Sequence, residues 1–282
     1  MTLENLKDKF RMELRERYSQ DDCDLLSFIF IEKILDIPPL QQRLQRNEKV
    51  SEIEFDNFEF IINELKTGKP YQQILGETEF FGLSFLVDEN VLIPRPETEE
   101  LIELAFEKML KKYSKNDKLK ILDIGTGSGI IPIVVKKFFP NAEVFALDVS
   151  EKAIEIAKKN ANYHQVEIHF FQMNYLQEEL GGNWDVIFSN PPYIGINEKK
   201  EIAITVQDFE PNIALFSPTN DSLIFYRKIA IDALECLNEN GMIFLEINQK
   251  LGQETLCLFQ NFKYSMLYKD ISGNDRMIFV EK

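Results

Sequence analysis

Lys120-Ile121-Leu122-Asp123-Ile124-Gly125-Thr126-Gly127-Ser128-Gly129 decides the fold. A short apolar run with β-branched residues reads as a buried strand, and the glycines that follow allow a tight turn. Ile130-Ile131-Pro132-Ile133-Val134-Val135 then opens a helix, with Pro132 in the first turn, where its missing N–H costs little. Strand, glycine turn and helix in this order put the glycines at the carboxyl end of a strand, the ligand-binding edge of parallel sheets. Downstream, Glu-Val-Phe-Ala-Leu-Asp (143–148), a helix from Glu151, Glu-Ile-His-Phe-Phe (167–171) and Asp-Val-Ile-Phe-Ser-Asn (185–190) continue the alternation. Alternating strands and helices predict an α/β fold with a parallel sheet and crossover helices. The final third adds a helix over 222–237, the strand Met-Ile-Phe-Leu-Glu-Ile (242–247), and two strands near 264–269 and 276–280. Ser272-Gly273-Asn274-Asp275 joins that last pair, which predicts an antiparallel ending to the sheet.

Upstream, the pattern is helical. Leu3, Leu6, Phe10 and Leu14, then Leu25, Phe28, Ile29 and Leu35, then Phe55, Phe58, Ile61, Ile62 and Leu65 recur at helical spacing. Thr67-Gly68 reads as the closing cap. Between Glu79 and Pro94 the sequence turns β-rich, interrupted by Asp88-Glu89-Asn90, and predicts a strand pair at a domain junction.

The 282 residues are 44% hydrophobic and 28% charged, enough for a packed core, and no apolar run reaches the roughly 18 residues of a membrane span. The amino-terminal stretch shows neither a secretory nor a transit pattern, so a cytoplasmic location is the default expectation, with no membrane association. Cys23, Cys236 and Cys257 lie far apart without a metal or redox spacing, and no metal site is expected. A net charge of −15 argues against stable nucleic-acid binding, because phosphates attract clustered Lys and Arg.

Two motifs carry chemistry. The glycine loop has G-x-G-x-G spacing, and Asp123 precedes it, where a carboxylate is awkward beside a pyrophosphate but welcome beside the ammonium and sulfonium of S-adenosylmethionine. Asp148, ending the second strand, is placed to accept hydrogen bonds from ribose hydroxyls, a contact that also fits a dinucleotide. Ser189-Asn190-Pro191-Pro192-Tyr193-Ile194 ends the fourth strand and faces the same crevice. A delocalised amide or exocyclic amino nitrogen is a poor nucleophile and must be oriented. The Asn190 side-chain oxygen and the Pro191 carbonyl can accept its two N–H bonds, the prolines stiffen the backbone, and Tyr193 can stack on the flat acceptor. A glutamine-type amide, or adenine-N6 or cytosine-N4 in a nucleic acid, fits this chemistry. A non-catalytic cofactor-binding scaffold is a further alternative, and a nicotinamide dehydrogenase is disfavoured by the loop spacing.

From Gly68 onward the chain resembles the protein-(glutamine-N5) methyltransferases that modify the Gly-Gly-Gln glutamine of class 1 peptide chain release factors. The resemblance rests on G-K-P-Y-Q-Q-I-L-G (68–76), E-F-F-G-L-S-F (79–85), V-L-I-P-R-P-E-T-E (91–99), L-D-I-G-T-G-S-G (122–129), S-N-P-P-Y-I (189–194), D-F-E-P (208–211) and G-N-D-R (273–276). It implies a seven-stranded, Rossmann-like class I methyltransferase sheet over residues 97–282, a β-hairpin linker over 76–96, and a small helical domain over 1–75 that helps grip the release factor. Carried over, it implies that Asp123, Gly125, Thr126, Gly127, Ser128, Gly129 and Asp148 hold S-adenosyl-L-methionine, leaving S-adenosyl-L-homocysteine as product. Asn190, Pro191, Pro192 and Tyr193 then hold the glutamine, Asn190 also bordering the cofactor, with Arg95 and Glu97 fixing the loop edge by pairing. Where the family often has an acidic residue and Trp beside adenine, this chain has Asn174-Tyr175, which can still bond and stack. Glu246 to Gln249 depart from the family's His-Gly pattern and receive no role. The release factor is the expected partner of a monomeric enzyme.

Overall fold

The computed structural model describes residues 1–201 and 203–282, and the chain forms two compact units, Met1–Glu77 and Thr78–Lys282.

The first unit contains α1 (Leu3–Leu14), α2 (Gln20–Leu35), α3 (Pro39–Leu44), α4 (Glu52–Thr67) and α5 (Tyr71–Leu75). Three of these helices start with a capping box, Thr2 with Asn5, Ser19 with Asp22 and Ser51 with Glu54, so two otherwise unpaired amides are satisfied at each start. Gly68 closes α4 at φ 93°, the left-handed geometry glycine adopts without strain. Leu3, Leu6, Phe10 and Leu14 are all buried, against Phe30, Phe58 and Ile62. The α2 stripe differs from the one read in the sequence. Cys23, Leu26, Ser27, Phe30 and Ile31 face the core, whereas Leu25 is 55% exposed. Its apolar residues, including Leu25, Leu26, Phe28, Ile29, Phe30 and Ile31, spread over more than one face, so its periodicity does not say which face is covered.

The second unit opens with a hairpin, β1 (Glu77–Phe80) and β2 (Leu83–Leu86). Its turn is at Phe81-Gly82, with φ of 53° and 68°, a pattern suited to a two-residue primed turn. The break expected at Asp88-Glu89-Asn90 is instead a separate turn after the hairpin, where Asp88 accepts from the Asn90 amide at 2.8 Å. Phe81 tolerates its left-handed backbone because tertiary contacts hold it there. Its N–H donates to Glu99 at 2.7 Å, and its ring meets Phe106 edge-on.

Then follow α6 (Pro96–Leu110), β3 (Lys120–Ile124), α7 (Ile130–Phe138), β4 (Glu143–Asp148), α8 (Glu151–Tyr163), β5 (His169–Gln172) and β6 (Trp184–Ser189). The chain closes with α9 (Ile204–Phe209), α10 (Asn212–Leu215), α11 (Ile224–Cys236), β7 (Leu237–Glu246), α12 (Gly252–Cys257), β8 (Tyr264–Lys269) and β9 (Asp275–Glu281). The seven-stranded sheet has the order β5-β4-β3-β6-β7-β9-β8, parallel from β5 to β7, with β9 antiparallel to both its neighbours. Side chains alternate across it. Ile121, Val186, Phe188 and Phe244 pack under α6 and α7, while Leu122, Ile124, Ile187 and Ile243 pack against α11. Each such buried apolar side chain contributes about 1.5–3 kcal/mol. The strand order reverses between β3 and β6, and a crevice opens beyond their carboxyl ends. No helix among the described residues is long and apolar enough to cross a membrane.

Candidate active site

The crevice is a cavity of about 850 Å³. Its wall includes Gly125, Thr126, Gly127 and Ser128 from the turn after β3, Asp148 at the end of β4, Asn174 and Tyr175 after β5, and Asn190, Pro191 and Pro192 after β6. Arg95 and Thr98 close one side. Residues up to 67 positions apart in sequence, Gly125 and Pro192, thus meet because four parallel strands end on one edge.

The glycines serve different ends. Gly125 and Gly127 have φ of 77° and 54°, and a Cβ on either would meet nothing within 4 Å, so the loop leaves open space beside its backbone. Gly129, at φ 81°, lies outside the wall, and a Cβ there would stand 3.0 Å from the Ala157 Cβ. It lets α7 pack closely on α8. Asp148 ties the loop to β4, accepting from the Gly127 amide and from the Ser150 amide, both at 2.9 Å. Burial raises its carboxyl above the ordinary value, and those amides oppose the shift.

Asp123 stands behind the loop rather than in the wall, 1% exposed, with neither carboxylate oxygen hydrogen-bonded. Burial pushes it up to about 7. An unpaired buried carboxylate costs free energy unless a cation or donor reaches it.

Asn190 is turned by its surroundings. Its Nδ2 donates to Glu246 Oε2 at 2.9 Å and to Thr98 Oγ1 at 3.2 Å. Glu246, fully buried at the end of β7, also accepts from the Thr98 hydroxyl at 2.6 Å and from the Tyr193 hydroxyl at 3.2 Å. Tyr193 therefore does not line the cavity, and the stacking role read in the sequence gives way to a contact behind Asn190. Burial raises the Glu246 carboxyl, opposed by the Thr98 hydroxyl and the Arg276 charge.

The Arg95–Glu97 pair is also corrected. Arg95 pairs with Glu210 of the D-F-E-P stretch, whose carboxylate, 4% exposed, accepts from the Ile93 amide at 3.1 Å as well. Glu97 lies outside the wall. Glu210 thus pins V-L-I-P-R-P across the cavity mouth, a role invisible to pattern because its partners are 117 and 115 positions away. His164 bonds the Ser84 carbonyl at 2.8 Å and holds the hairpin. Cys23 and Cys236 are buried and Cys257 is exposed. Among the described residues no cluster of His, Cys, Asp and Glu could hold a metal ion.

Residues 7–76 match the PrmC N-terminal domain and residues 100–209 the Methyltransferase small domain. The release factor glutamine methyltransferase of Flavobacterium psychrophilum is 47% identical over 99% of this chain and 98% of its own. Those of Lactococcus lactis (41%, over 83% and 85%) and Streptococcus pneumoniae (38%, over 100% and 99%) are similar too. Among solved structures, the hMettl16 catalytic domain in complex with MAT2A 3'UTR hairpin 6 has a TM-score of 0.56 at 16% identity, covering 82% of each chain. The Thermus thermophilus 16S rRNA N2 G1207 methyltransferase, in complex with AdoMet and guanosine, has 0.51 at 17% identity over 73% of this chain and 49% of that one. At such identities these two speak for the class I methyltransferase fold alone. Near-complete coverage at 47% identity, together with both domain matches, places the chain in the release factor glutamine methyltransferase family.

Proposed function

We propose that this chain transfers a methyl group from S-adenosyl-L-methionine to the side-chain amide nitrogen, N5, of the Gly-Gly-Gln glutamine in class 1 peptide chain release factors. The observation that carries this reading is the Asn190 carboxamide. Its NH₂ is spent on Glu246 and Thr98, which leaves Oδ1 as the end available to a substrate N–H on the wall shared with the glycine loop.

The residues present fit the cofactor. Gly125 to Ser128 leave room for a close backbone approach, Asp148 lies in reach of ribose hydroxyls, and Asn174 and Tyr175 border the adenine end, with the unpaired carboxylate of Asp123 buried behind the loop. When bound, S-adenosylmethionine supplies an electrophilic methyl carbon on a sulfonium, and S-adenosyl-L-homocysteine is left. The chain's own work is positional. Asn190 Oδ1 and the Pro191 carbonyl accept the two amide hydrogens of the glutamine, so its nitrogen lone pair can turn from conjugation towards the methyl carbon. Pro191 and Pro192 hold that backbone rigid, which favours a near-attack geometry. Acceptors on both hydrogens stabilise the positive charge that develops on nitrogen, so the proton can leave after transfer and no strong base is needed.

We assign Met1–Glu77 to gripping the release factor, with exposed Leu40, Leu44, Ile53 and Phe60 as apolar surface for it, and read the enzyme as a cytoplasmic monomer. The net charge of −15 gives no support to a nucleic-acid substrate. The test is incubation with labelled cofactor and purified release factor, followed by mass mapping. Methylation is expected on the tripeptide glutamine and lost on its change to alanine. Label on an oligonucleotide instead of the protein overturns the assignment.

A further inference from the structure

We propose that Glu246 is a positioning residue that fixes which end of the Asn190 carboxamide faces the cavity, with Thr98 as its relay. The inference rests on the methyl transfer proposed above and names the group that makes Asn190 competent for it. A carboxamide has two ends of nearly equal size, one donating and one accepting, and its heavy-atom shape does not select between them. With Oδ1 inward the site accepts from an amide NH₂. With Nδ2 inward it repels one.

The surroundings make the selection. Glu246 Oε2 lies 2.9 Å from Asn190 Nδ2 and accepts from it. The same oxygen takes the Thr98 hydroxyl proton at 2.6 Å, so Thr98 Oγ1, 3.2 Å from Asn190 Nδ2, turns a lone pair to the amide. Asn190 therefore meets two acceptors, and only its NH₂ satisfies both. A flipped amide would set Oδ1 against a buried carboxylate oxygen, losing two hydrogen bonds and adding repulsion. Tyr193 donates to Oε1 at 3.2 Å, and Oε2 accepts from both Thr98 and Asn190, so each oxygen of Glu246 is held by a neighbouring donor. Donation from Nδ2 also polarises the amide and makes Oδ1 a stronger acceptor. Glu246 itself lies outside the cavity wall, so it acts on the substrate through Asn190.

Glu246→Gln is the informative substitution, because a neutral carboxamide can donate or accept and no longer selects an orientation. It is expected to lower kcat by about 10-fold to 10²-fold, with KM for release factor and Kd for cofactor within about threefold of the parent. A release factor carrying glutamate in place of the target glutamine provides a second readout. The parent site, offering only acceptors, binds this carboxylate poorly, whereas Glu246→Gln exposes the Asn190 NH₂ in part of the molecules and is expected to be inhibited by it more strongly. A merely structural defect would weaken both ligands together. Thr98→Ser is expected to keep activity and Thr98→Val to lose it. If Glu246→Gln does not fold, nuclear Overhauser contacts between the Asn190 Nδ2 protons and Thr98 in the parent protein give the orientation directly. Parent-like kcat and unchanged glutamate inhibition in Glu246→Gln, or Nδ2 protons that face the cavity in the parent, overturn the proposal. Failure of the parent to methylate release factor strikes the proposed function instead, so the two are separable.

Discussion

Asn160 Nδ2 lies 2.8 Å from the Ser128 carbonyl and 3.0 Å from that of Leu86, so one buried side chain on α8 joins the glycine loop to the hairpin. Its Oδ1 accepts from the Leu86 amide at 2.7 Å, which makes it a surrogate strand partner for β2. Asn160→Asp keeps the shape but sets a carboxylate against two carbonyl oxygens. A loss of about 3 kcal/mol or more is expected in urea unfolding, with weakened cofactor binding as the loop loosens. A change within about 0.5 kcal/mol would show that the loop is held elsewhere.

Asn190→Ala removes the orienting acceptor. Turnover is expected to fall by about 10² or more while cofactor affinity changes far less. Single-turnover kinetics with saturating cofactor decides this, and normal turnover in the variant removes the mechanism.

Asp148→Ala is expected to weaken cofactor binding by about 1–3 kcal/mol, through lost ribose contacts and a freed Gly127 amide. Calorimetry on folded variant protein is the check. Unchanged affinity refutes the ribose assignment.

Asp123 links stability to pH. Its carboxyl, at about 7 when folded against an ordinary 3.8, stays protonated in the folded chain over a range where the unfolded chain has lost the proton. Its contribution is greatest below the unfolded value, declines as pH rises through that interval, and levels off above the folded value. Asp123→Asn should therefore stabilise the ligand-free protein at pH 8, by at most about 4 kcal/mol, and much less at pH 5. Thermal melts of both proteins at the two pH values test this, and an equal gain at both excludes Asp123 as the linked group.

What was legible in the sequence was whatever a few adjacent residues enforce. Gly125 to Ser128, and Asn190 to Pro192, could be read because a turn and a stiff strand end are local structures, and both reach the same wall. The seven sheet strands and helices α7, α8 and α11 followed from hydrophobic pattern and turn signals, whereas the short helices α9, α10 and α12 left no such mark. The misses share a different cause. Phe81 occupies a left-handed turn position against its own preference, and the Glu99 contact 18 residues away that holds it there leaves no local trace. The covered face of α2 depends on α1 and α4, not on its own pattern. Glu246, Thr98 and Glu210 looked like ordinary strand, helix and loop residues. Their roles arise from contacts made across 53 to 148 positions, and Tyr193 was given the cavity because nothing local showed the buried carboxylate behind it.

β6 sits in the sheet between β3, with Ser189 reaching the Ile124 carbonyl 65 residues earlier, and β7, where Glu246 comes 56 residues after Asn190. Such pairings close long loops and are slow to form. During synthesis the glycine loop and its supporting helices leave the ribosome well before the strand that orients the asparagine. The cavity wall, which also draws on residues 190 to 225, can therefore close only in the last third of the chain to be made.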